Sequence, residues 1–494
     1  MNKAKTETFR NAPVKTAVFK NAIPAMLAMV MVLVYNLADT FFIGQTGDAL
    51  QVAAVSVATP VFMIFMTFGT MFGIGGTSLI SRSLGAGRQD YARHVCAFCA
   101  WGCIVSGIAF FAFVMAFMEP ILYAIGASAN TFGLARSYLV IVCCSGPLVI
   151  FGNCYSNILR AEGESTKGVI GMLLGNLVNI VLDPIFILVL GMGIQGAAIA
   201  TVIGNVCGAA YYLLYFLSGK SSLSISPRQV RLGDGIFSGV MAIGIPAAIG
   251  DLLMSVSQLV MNSQMTAYGD MAIAGIGVAM KVTMITGCLC IGLGQGVQPI
   301  LGYCVGARLE KRYHEVLRFS MVFALATSTV LAVLCFLFTP QIVGAFLTET
   351  AAYDDAVQFA RILLTTSFLF GAYYVILNAL QAMGSSTASL VVNVSRQGLI
   401  YIPALFILQA AFGETGLVWA QPVADVASLA LSIGLYFNAA KHCWKQIAAQ
   451  KPNSEQPEEQ DAEKIDAYPA RCAKLKTADA SKTASTTTAA VRQE

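Results

Sequence analysis

Charged residues are scarce in this sequence. Only 11% of its 494 residues are Asp, Glu, Lys or Arg, whereas 57% are hydrophobic. Soluble domains carry about a quarter charged residues, so the composition predicts an integral membrane protein in contact with the lipid bilayer. The net charge of +4 forms no basic stripe on a soluble domain, and we therefore expect no nucleic-acid partner.

The sequence also lacks the groups that most enzymes and ATP-driven pumps need. It has no Walker A motif, since SGKS at 218–221 lacks the first glycine of that pattern. Its three histidines lie at predicted helix ends, and its thirteen cysteines lie mostly in apolar helices without a matching cluster of metal ligands. We predict that the protein is not an enzyme and needs no cofactor or structural metal.

Long apolar segments make up most of the chain. A transmembrane helix needs about 20 mostly apolar residues, and twelve segments meet this requirement. Their length and the absence of an alternating pattern predict helices rather than a barrel. The segments are residues 17–43, 50–80, 94–118, 136–160, 167–190, 194–217, 236–266, 272–303, 314–338, 356–382, 387–411 and 416–440.

Lys and Arg are concentrated near the N-terminus, in alternate loops and after the last segment. We call the loops at 82–93, 160–167, 218–235 and 303–313 the basic loops. The loops between them carry acidic residues and almost no base. The positive-inside rule then predicts a multi-pass protein of the cell (plasma) membrane, with the basic loops and both termini in the cytoplasm.

The two halves of the sequence repeat each other. Aligning SLGAGRQDYAR with YCVGARLEKRY places Arg88 on Arg308, an offset of 220 residues, and nearly the same offset pairs Pro24 with Pro246. Six helices in each half keep both halves in the same orientation. We predict an all-α integral membrane fold with twelve transmembrane helices in two pseudo-symmetric six-helix lobes.

The repeat divides the chain into two lobes and two polar segments. Two lobes around a cleft suit alternating access, in which the lobes rock around a site near mid-membrane, and we expect a monomer. The predicted parts are an amino-terminal lobe (1–217), a cytoplasmic linker (218–235), a carboxy-terminal lobe (236–440) and a disordered cytoplasmic tail (441–494).

The fifth segment carries a polar face with a carboxylate. Asn176, Asn179 and Asp183 follow i, i+3 and i+7 spacing, so they share one side of a helix. Pro184 has no N–H and leaves a carbonyl one turn earlier without its helical partner. A carboxylate near the bilayer centre costs about 3 kcal/mol or more, which makes Asp183 a functional candidate.

The first segment repeats this pattern. Asn36 and Asp39 lie at i and i+3, and Pro24 is a candidate bending point, as is Pro184. We interpret the polar faces of the first and fifth segments as a cluster that binds a coupling ion, either H+ or Na+. The alternative is that these groups only hold helices together by interhelical hydrogen bonds.

The carboxy-terminal lobe contains two acids and two bases within its predicted spans. Buried charges persist mainly when they are paired. We predict structural or gating ion pairs among them, and the sequence leaves open which acid meets which base. The four residues are Asp251, Lys281, Arg396 and Asp425.

Residues 15–440 resemble the multidrug and toxic compound extrusion (MATE) family, in particular its bacterial MepA-like branch. No single segment is specific, but together they point to this family. The segments are IPAMLAMVMVLVYNLADTFFIG, SRSLGAGRQDYAR, RAEGESTKG, NLVNIVLDPIFI, AIAGIGVAMKV and GLGQGVQPILGYCVGA.

The resemblance implies a secondary transporter that exports amphipathic, mostly cationic small molecules in antiport with H+ or Na+. It also implies a cation-coupling cluster in the amino-terminal lobe, formed by Asp39, Asp183 and Asn179 with Tyr138 and Thr201.

Some family members instead use a carboxylate site on helices seven and ten, but here the tenth segment has no mid-span acid. Two other substrate classes stay open: a narrow range of metabolites, or a lipid-linked precursor moved by a flippase of the same superfamily.

Overall fold

All regular secondary structure in the described residues is helical. The computed structural model describes residues 4–45, 49–346 and 350–449. Residues 441–449 continue the last helix, and the rest of the predicted tail lies outside the described residues.

The described residues of the first half form nine α-helices: α1 (Ala4–Asn11), α2 (Val14–Gly44), α3 (Ala49–Gly85), α4 (Gln89–Ala116), α5 (Met118–Ala124), α6 (Phe132–Cys144), α7 (Gly146–Ala161), α8 (Ser165–Pro184) and α9 (Gly193–Leu217). The second half contains α10 (Ile236–Met265), α11 (Asp270–Gly306), α12 (Glu310–Leu337), α13 (Thr339–Gly344), α14 (Thr350–Leu364), α15 (Phe370–Ala382), α16 (Ser386–Val394) and α17 (Tyr401–Ala449).

Twelve membrane spans can be counted in the described residues. Ten helical runs are long and apolar enough to cross a membrane, and α6 with α7 forms an eleventh span bent by 53°. The run from Ser386 to Ala449 is divided at Gly413, whose φ of 62° and ψ of −137° are not helical. Its two parts are the eleventh and twelfth spans of the chain, which confirms the predicted number.

Several spans predicted as single helices are interrupted. The fourth span breaks at Ser145, and α7 begins with a proline in its first turn, where the missing N–H costs nothing. The fifth span passes from α8 into a π-helical turn, Ile185–Val189, directly after Pro184. A second π-helical turn, Ser395–Leu399, lies in the eleventh span. Such turns frequently mark functional sites.

Each lobe's first helix begins in the core of the other lobe. Ala17, Val18 and Ala22 of α2 are buried in a hydrophobic core formed mainly by helices of the carboxy-terminal lobe. In the same way, Ile236 and Val240 of α10 are buried in the core of the amino-terminal lobe. The lobes are therefore interlocked at the end of the spans that carries the basic loops.

Glycines allow this close contact between the lobes. A Cβ on Gly292 of α11 would lie 2.7 Å from the Ala25 oxygen of α2, and one on Gly296 would lie 2.5 Å from Ala22 Cα. Because any side chain would push the backbones apart, these small residues set the distance between helices.

The linker between the lobes lies on the amino-terminal lobe. The buried carboxylate of Glu162 accepts hydrogen bonds from the hydroxyls of Ser221 (2.9 Å) and Ser222 (2.8 Å). Trp101 of α4 donates to the carbonyl of Ile225 at 3.2 Å. These contacts fix most of the linker to one lobe and leave its last residues to connect to α10.

Candidate cation-binding site

Asp183 lies at the end of α8, fully buried within the amino-terminal lobe. Pro184 follows it and cannot donate to the carbonyl one turn back, and the helix widens into the π-helical turn. The C-terminal end of a helix carries a partial negative charge. A carboxylate here adds to that negative charge, so the position favours a bound cation.

Asn179 connects Asp183 to the neighbouring helix. Its amide nitrogen donates to Asp183 Oδ2 at 3.1 Å. Its oxygen then accepts from the Thr201 backbone N–H at 3.0 Å and faces Thr201 Oγ1 at 3.3 Å. All three side chains are at least nine-tenths buried, so each polar group needs such a partner.

Close packing of α8 on α9 brings these groups together. A Cβ on Gly204 would lie 2.6 Å from the oxygen of Gly175. Only glycines allow the two backbones to approach in this way. Thr201, one turn before Gly204, is thereby placed against Asn179.

Helix α2 supplies a second carboxylate, Asp39, close enough to Asp183 for the two charges to interact. The Oδ1 atom of Asp39 is buried and has no hydrogen-bond partner among the described residues. Tyr35 lies one turn earlier, and its side chain lies close to that of Thr201. The phenol of Tyr138, from α6, interacts electrostatically with both aspartates.

Two carboxylates thus share one site, and neither forms an ion pair with a base of the described residues. Holding both as anions in a membrane interior is costly. A proton would remove one charge, and Na+ would be bound by oxygen atoms. The buried Asp39 Oδ1, the Asp183 carboxylate and the hydroxyls nearby provide oxygen donors of the kind that Na+ requires.

The remaining predicted residues of the amino-terminal lobe lie on α2 and α8. Asn36 is exposed and donates to the Val32 carbonyl of its own helix at 2.9 Å. Asn176 is half-buried, and its Nδ2 atom has no hydrogen-bond partner among the described residues. Pro24 lies within the unbroken helix α2.

In the carboxy-terminal lobe, Arg396 and Asp425 form a buried ion pair with Nε and Oδ1 2.8 Å apart. Gln421 and Thr366 donate to the same carboxylate, at 2.9 and 3.2 Å. Three rings surround the guanidinium, with centroids 4.7 to 5.6 Å from its Cζ; they belong to Phe370, Tyr373 and Tyr374.

Asp251 and Lys281 form no such pair, which corrects the prediction that the acids and bases of this lobe neutralise one another. Lys281 is exposed and lies over the ring of Phe346 at 5.5 Å. Asp251 is also exposed, and its carboxylate lies close to Thr70 of the opposite lobe. The two charges lie on different helices with different partners.

Two groups of the site were absent from the sequence prediction. Tyr35 is four residues before Asp39, and this helical spacing would have been a sufficient signal. Asn205, one turn beyond Thr201, donates to the Ser145 hydroxyl at 3.3 Å. Ser145 lies at the break of the fourth span, which no periodicity in the sequence indicates.

The MatE family model matches the chain twice, over residues 24–185 and 246–407. Multidrug export protein MepA of Staphylococcus aureus (strain MRSA252) is 30% identical over 429 residues, which cover 87% of this chain and 95% of that protein. MepA of Staphylococcus saprophyticus is 29% identical over 427 residues, covering 85% of this chain and 94% of that protein.

Solved structures share the fold. An outward-facing multidrug resistance MATE family transporter of the MOP superfamily has a TM-score of 0.84 and 23% identity, over 90% of this chain and 99% of that one. A MOP superfamily transporter from Pyrococcus furiosus, for which reverse polarity of the binding pocket suggests a different function, has a TM-score of 0.83 and 24% identity, over 91% and 99%. The family model covers more than half of the chain, and the solved structures share its fold. This multi-pass helical chain therefore belongs to the MatE family of transporters.

Proposed function

We propose that the protein is a secondary active multidrug efflux transporter. It exports amphipathic, mostly cationic compounds in antiport with H+ or Na+ by alternating access. The observation that carries this proposal is the pair of carboxylates, Asp39 and Asp183, with which no base of the described residues forms an ion pair. The names of the MepA relatives support the substrate class.

An ion gradient supplies enough energy for this task. One elementary charge that crosses about 100 mV releases about 2.3 kcal/mol. An uncharged substrate exchanged for one such ion could accumulate roughly fifty-fold, at about 1.4 kcal/mol per decade. One-for-one exchange with a monovalent cationic substrate is electroneutral, so there the concentration gradient of the ion supplies the free energy, at about 1.4 kcal/mol for each tenfold gradient. One proton or sodium ion per cycle is therefore sufficient, and a nucleotide is not needed.

Coupling follows from competition for the same negative charges. A cationic substrate is held while Asp39 and Asp183 are both anionic. Ion binding neutralises one charge or bridges both, and α2 and α8 then repack around Pro24 and Pro184, where backbone hydrogen bonds are missing. The substrate is released on one side, and loss of the ion on the other side restores the starting charge.

In this conformation the lobes are in close contact at the end of the spans that carries the basic loops. The close contacts between the lobes lie near those loops, as at Gly292 and Gly296 of α11, and the positive-inside rule assigns this end to the cytoplasm. The cleft would then open to the outside in this conformation. We propose a plasma-membrane location with both termini cytoplasmic and a monomeric unit.

The acidic cluster also separates this function from that of a lipid-linked precursor flippase. A pyrophosphate group needs basic side chains in the cleft. The amino-terminal site instead has two aspartates and no paired base among the described residues. A narrow metabolite exporter would differ from a multidrug exporter in its response to a panel of unrelated cationic dyes.

The test uses inverted membrane vesicles that contain the wild type, Asp183→Asn or Asp39→Asn at equal membrane levels. An imposed pH gradient, and separately an imposed Na+ gradient, should drive dye uptake in the wild type and in neither variant. If both variants still accumulate dye under the gradient that drives the wild type, the coupling role is wrong.

A further inference from the structure

Arg160 is a buried cation at the contact between the lobes. It lies at the end of α7 and is only 1% exposed. Its Nε donates to the Ser156 carbonyl of its own helix at 3.0 Å. Its Nη1 donates to Gln295 Oε1 of α11, in the other lobe, at 2.7 Å.

No acid of the described residues forms an ion pair with this arginine. The carbonyls at the C-terminal end of α7 offset part of its charge, and Gln295 is the partner from the opposite lobe. Burying a cation with so little compensation costs free energy. Separation of the lobes would let water reach Arg160, so hydration of the arginine favours opening and the bond to Gln295 opposes it.

Two further hydrogen bonds join the lobes at this interface, which we call the seam. The hydroxyl of Ser78 on α3 donates to the Gln381 carbonyl of α15 at 2.5 Å. Ser165 at the start of α8 donates to Asn21 in the part of α2 that packs on the carboxy-terminal lobe. Serine, asparagine and glutamine side chains are hydrated when such contacts separate, so the seam can open without exposing unpaired groups to lipid.

We propose that the Arg160–Gln295 bond is the latch that holds the lobes closed at their basic-loop end, and that it breaks and reforms in each transport cycle. Gln295 sets the balance because a neutral acceptor holds the cation firmly enough to close the seam and weakly enough to let it open. This role rests on the proposed alternating access, but its test does not depend on ion coupling.

Two substitutions at position 295 should shift the equilibrium between closed and open lobes in opposite directions. Gln295→Leu removes the acceptor, and Gln295→Glu supplies a negative charge to a cation that has no acidic partner. A hydrogen bond to a charged group accounts for about a tenfold change in such an equilibrium. If Gln295 had only a structural role, both substitutions would increase hydrogen–deuterium exchange to the same extent.

The measurement is hydrogen–deuterium exchange of the full-length protein in lipid nanodiscs, without substrate or ion gradient. The readout is the segment 78–86 at the end of α3, since it faces α11 and α15 across the seam and lies outside α11, which carries the substitutions. We expect exchange in this segment to rise about tenfold in Gln295→Leu. In Gln295→Glu it should lie at or below the wild-type level.

The matched control is Gln298→Leu, one turn further along α11. Gln298 is also a buried glutamine, but it does not contact Arg160, whose partners are Ser156 and Gln295 among hydrogen-bonding side chains. This variant should exchange like the wild type at 78–86. Equal exchange in Gln295→Leu and wild type would overturn the latch, as would increased exchange in Gln295→Glu. Failure of Asp183→Asn to alter efflux would leave these exchange results unaffected, so the two proposals can fail separately.

Discussion

The two halves of the chain both match the MatE family model, but their buried carboxylates have different partners. In the amino-terminal lobe, Asp183 and Asp39 share a site with amide and hydroxyl groups and no base among the described residues. In the carboxy-terminal lobe, Asp425 is paired with Arg396 at 2.8 Å.

This difference supports our proposal that the amino-terminal site exchanges a cation with the solution. In the carboxy-terminal half, Asp425 already has Arg396 as its charge partner. A permanently charged guanidinium held by three rings cannot leave and return during a cycle. A proton or Na+ can.

The largest effect is expected where the carboxy-terminal pair is broken. Arg396→Gln leaves Asp425 as an uncompensated buried charge and should cost about 3–5 kcal/mol of stability. The double variant Arg396→Met with Asp425→Leu removes both charges and should recover most of that loss. Thermal unfolding in detergent measures both, and a double variant no more stable than the single one would show that the pair is not self-neutralising.

Asp183→Asn should abolish the free-energy gain from the ion gradient without unfolding the protein. The accumulation ratio of a monovalent cationic substrate, about tenfold for each tenfold ion gradient in one-for-one exchange, should fall to about one. The variant loses the charge but keeps the shape of the side chain, and the unfolding temperature serves as the control. Gradient-driven accumulation in this variant at the wild-type level would contradict the assignment to the amino-terminal lobe.

Thr201→Val should have a moderate effect on ion affinity. It removes the hydroxyl near Asn179 and Tyr35 but keeps the backbone N–H that Asn179 accepts. Loss of one hydrogen bond of about 1 kcal/mol raises the half-maximal ion concentration about five-fold. Thr201→Ser keeps the hydroxyl and is the matched control, so an equal shift in both variants would argue against a role for that group.

The smallest effect is expected at Asn36. Its side chain is exposed and bonded to its own helix, so Asn36→Ala should change the efflux rate by less than about twofold. Its neighbour Tyr35 contacts Thr201, and Tyr35→Phe should slow ion-coupled efflux more than Asn36→Ala does. The reverse order would show that α2 presents its other face to the site.

Much of this arrangement could be predicted from the sequence because membranes leave few options. The length of the apolar segments predicts the transmembrane spans, and a charged residue within a span is easily recognised among its apolar neighbours. Helical spacing joined Asn179 to Asp183, and the structure places them in contact. The resemblance to known transporters, rather than spacing, identified Tyr138 and Thr201.

Features that depend on contacts between distant helices could not be predicted in this way. The same i, i+3 spacing that joined Asn36 to Asp39 did not reveal that Tyr35 faces the cluster. Two acids and two bases in one lobe suggested two pairs, but Asp251 contacts Thr70 across the seam. The packing of α2 into the other lobe likewise needs the assembled fold.

The central claim is that the unpaired carboxylates of the amino-terminal lobe exchange a cationic substrate for an ion. Its most direct test is countertransport in proteoliposomes loaded with a cationic dye, with no initial ion gradient. In the wild type, efflux of dye should drive uptake of H+ or Na+, which is detected by an internal pH probe or by radioactive sodium. Asp183→Asn should show no such ion movement. Dye export by the wild type without movement of either ion would contradict the account.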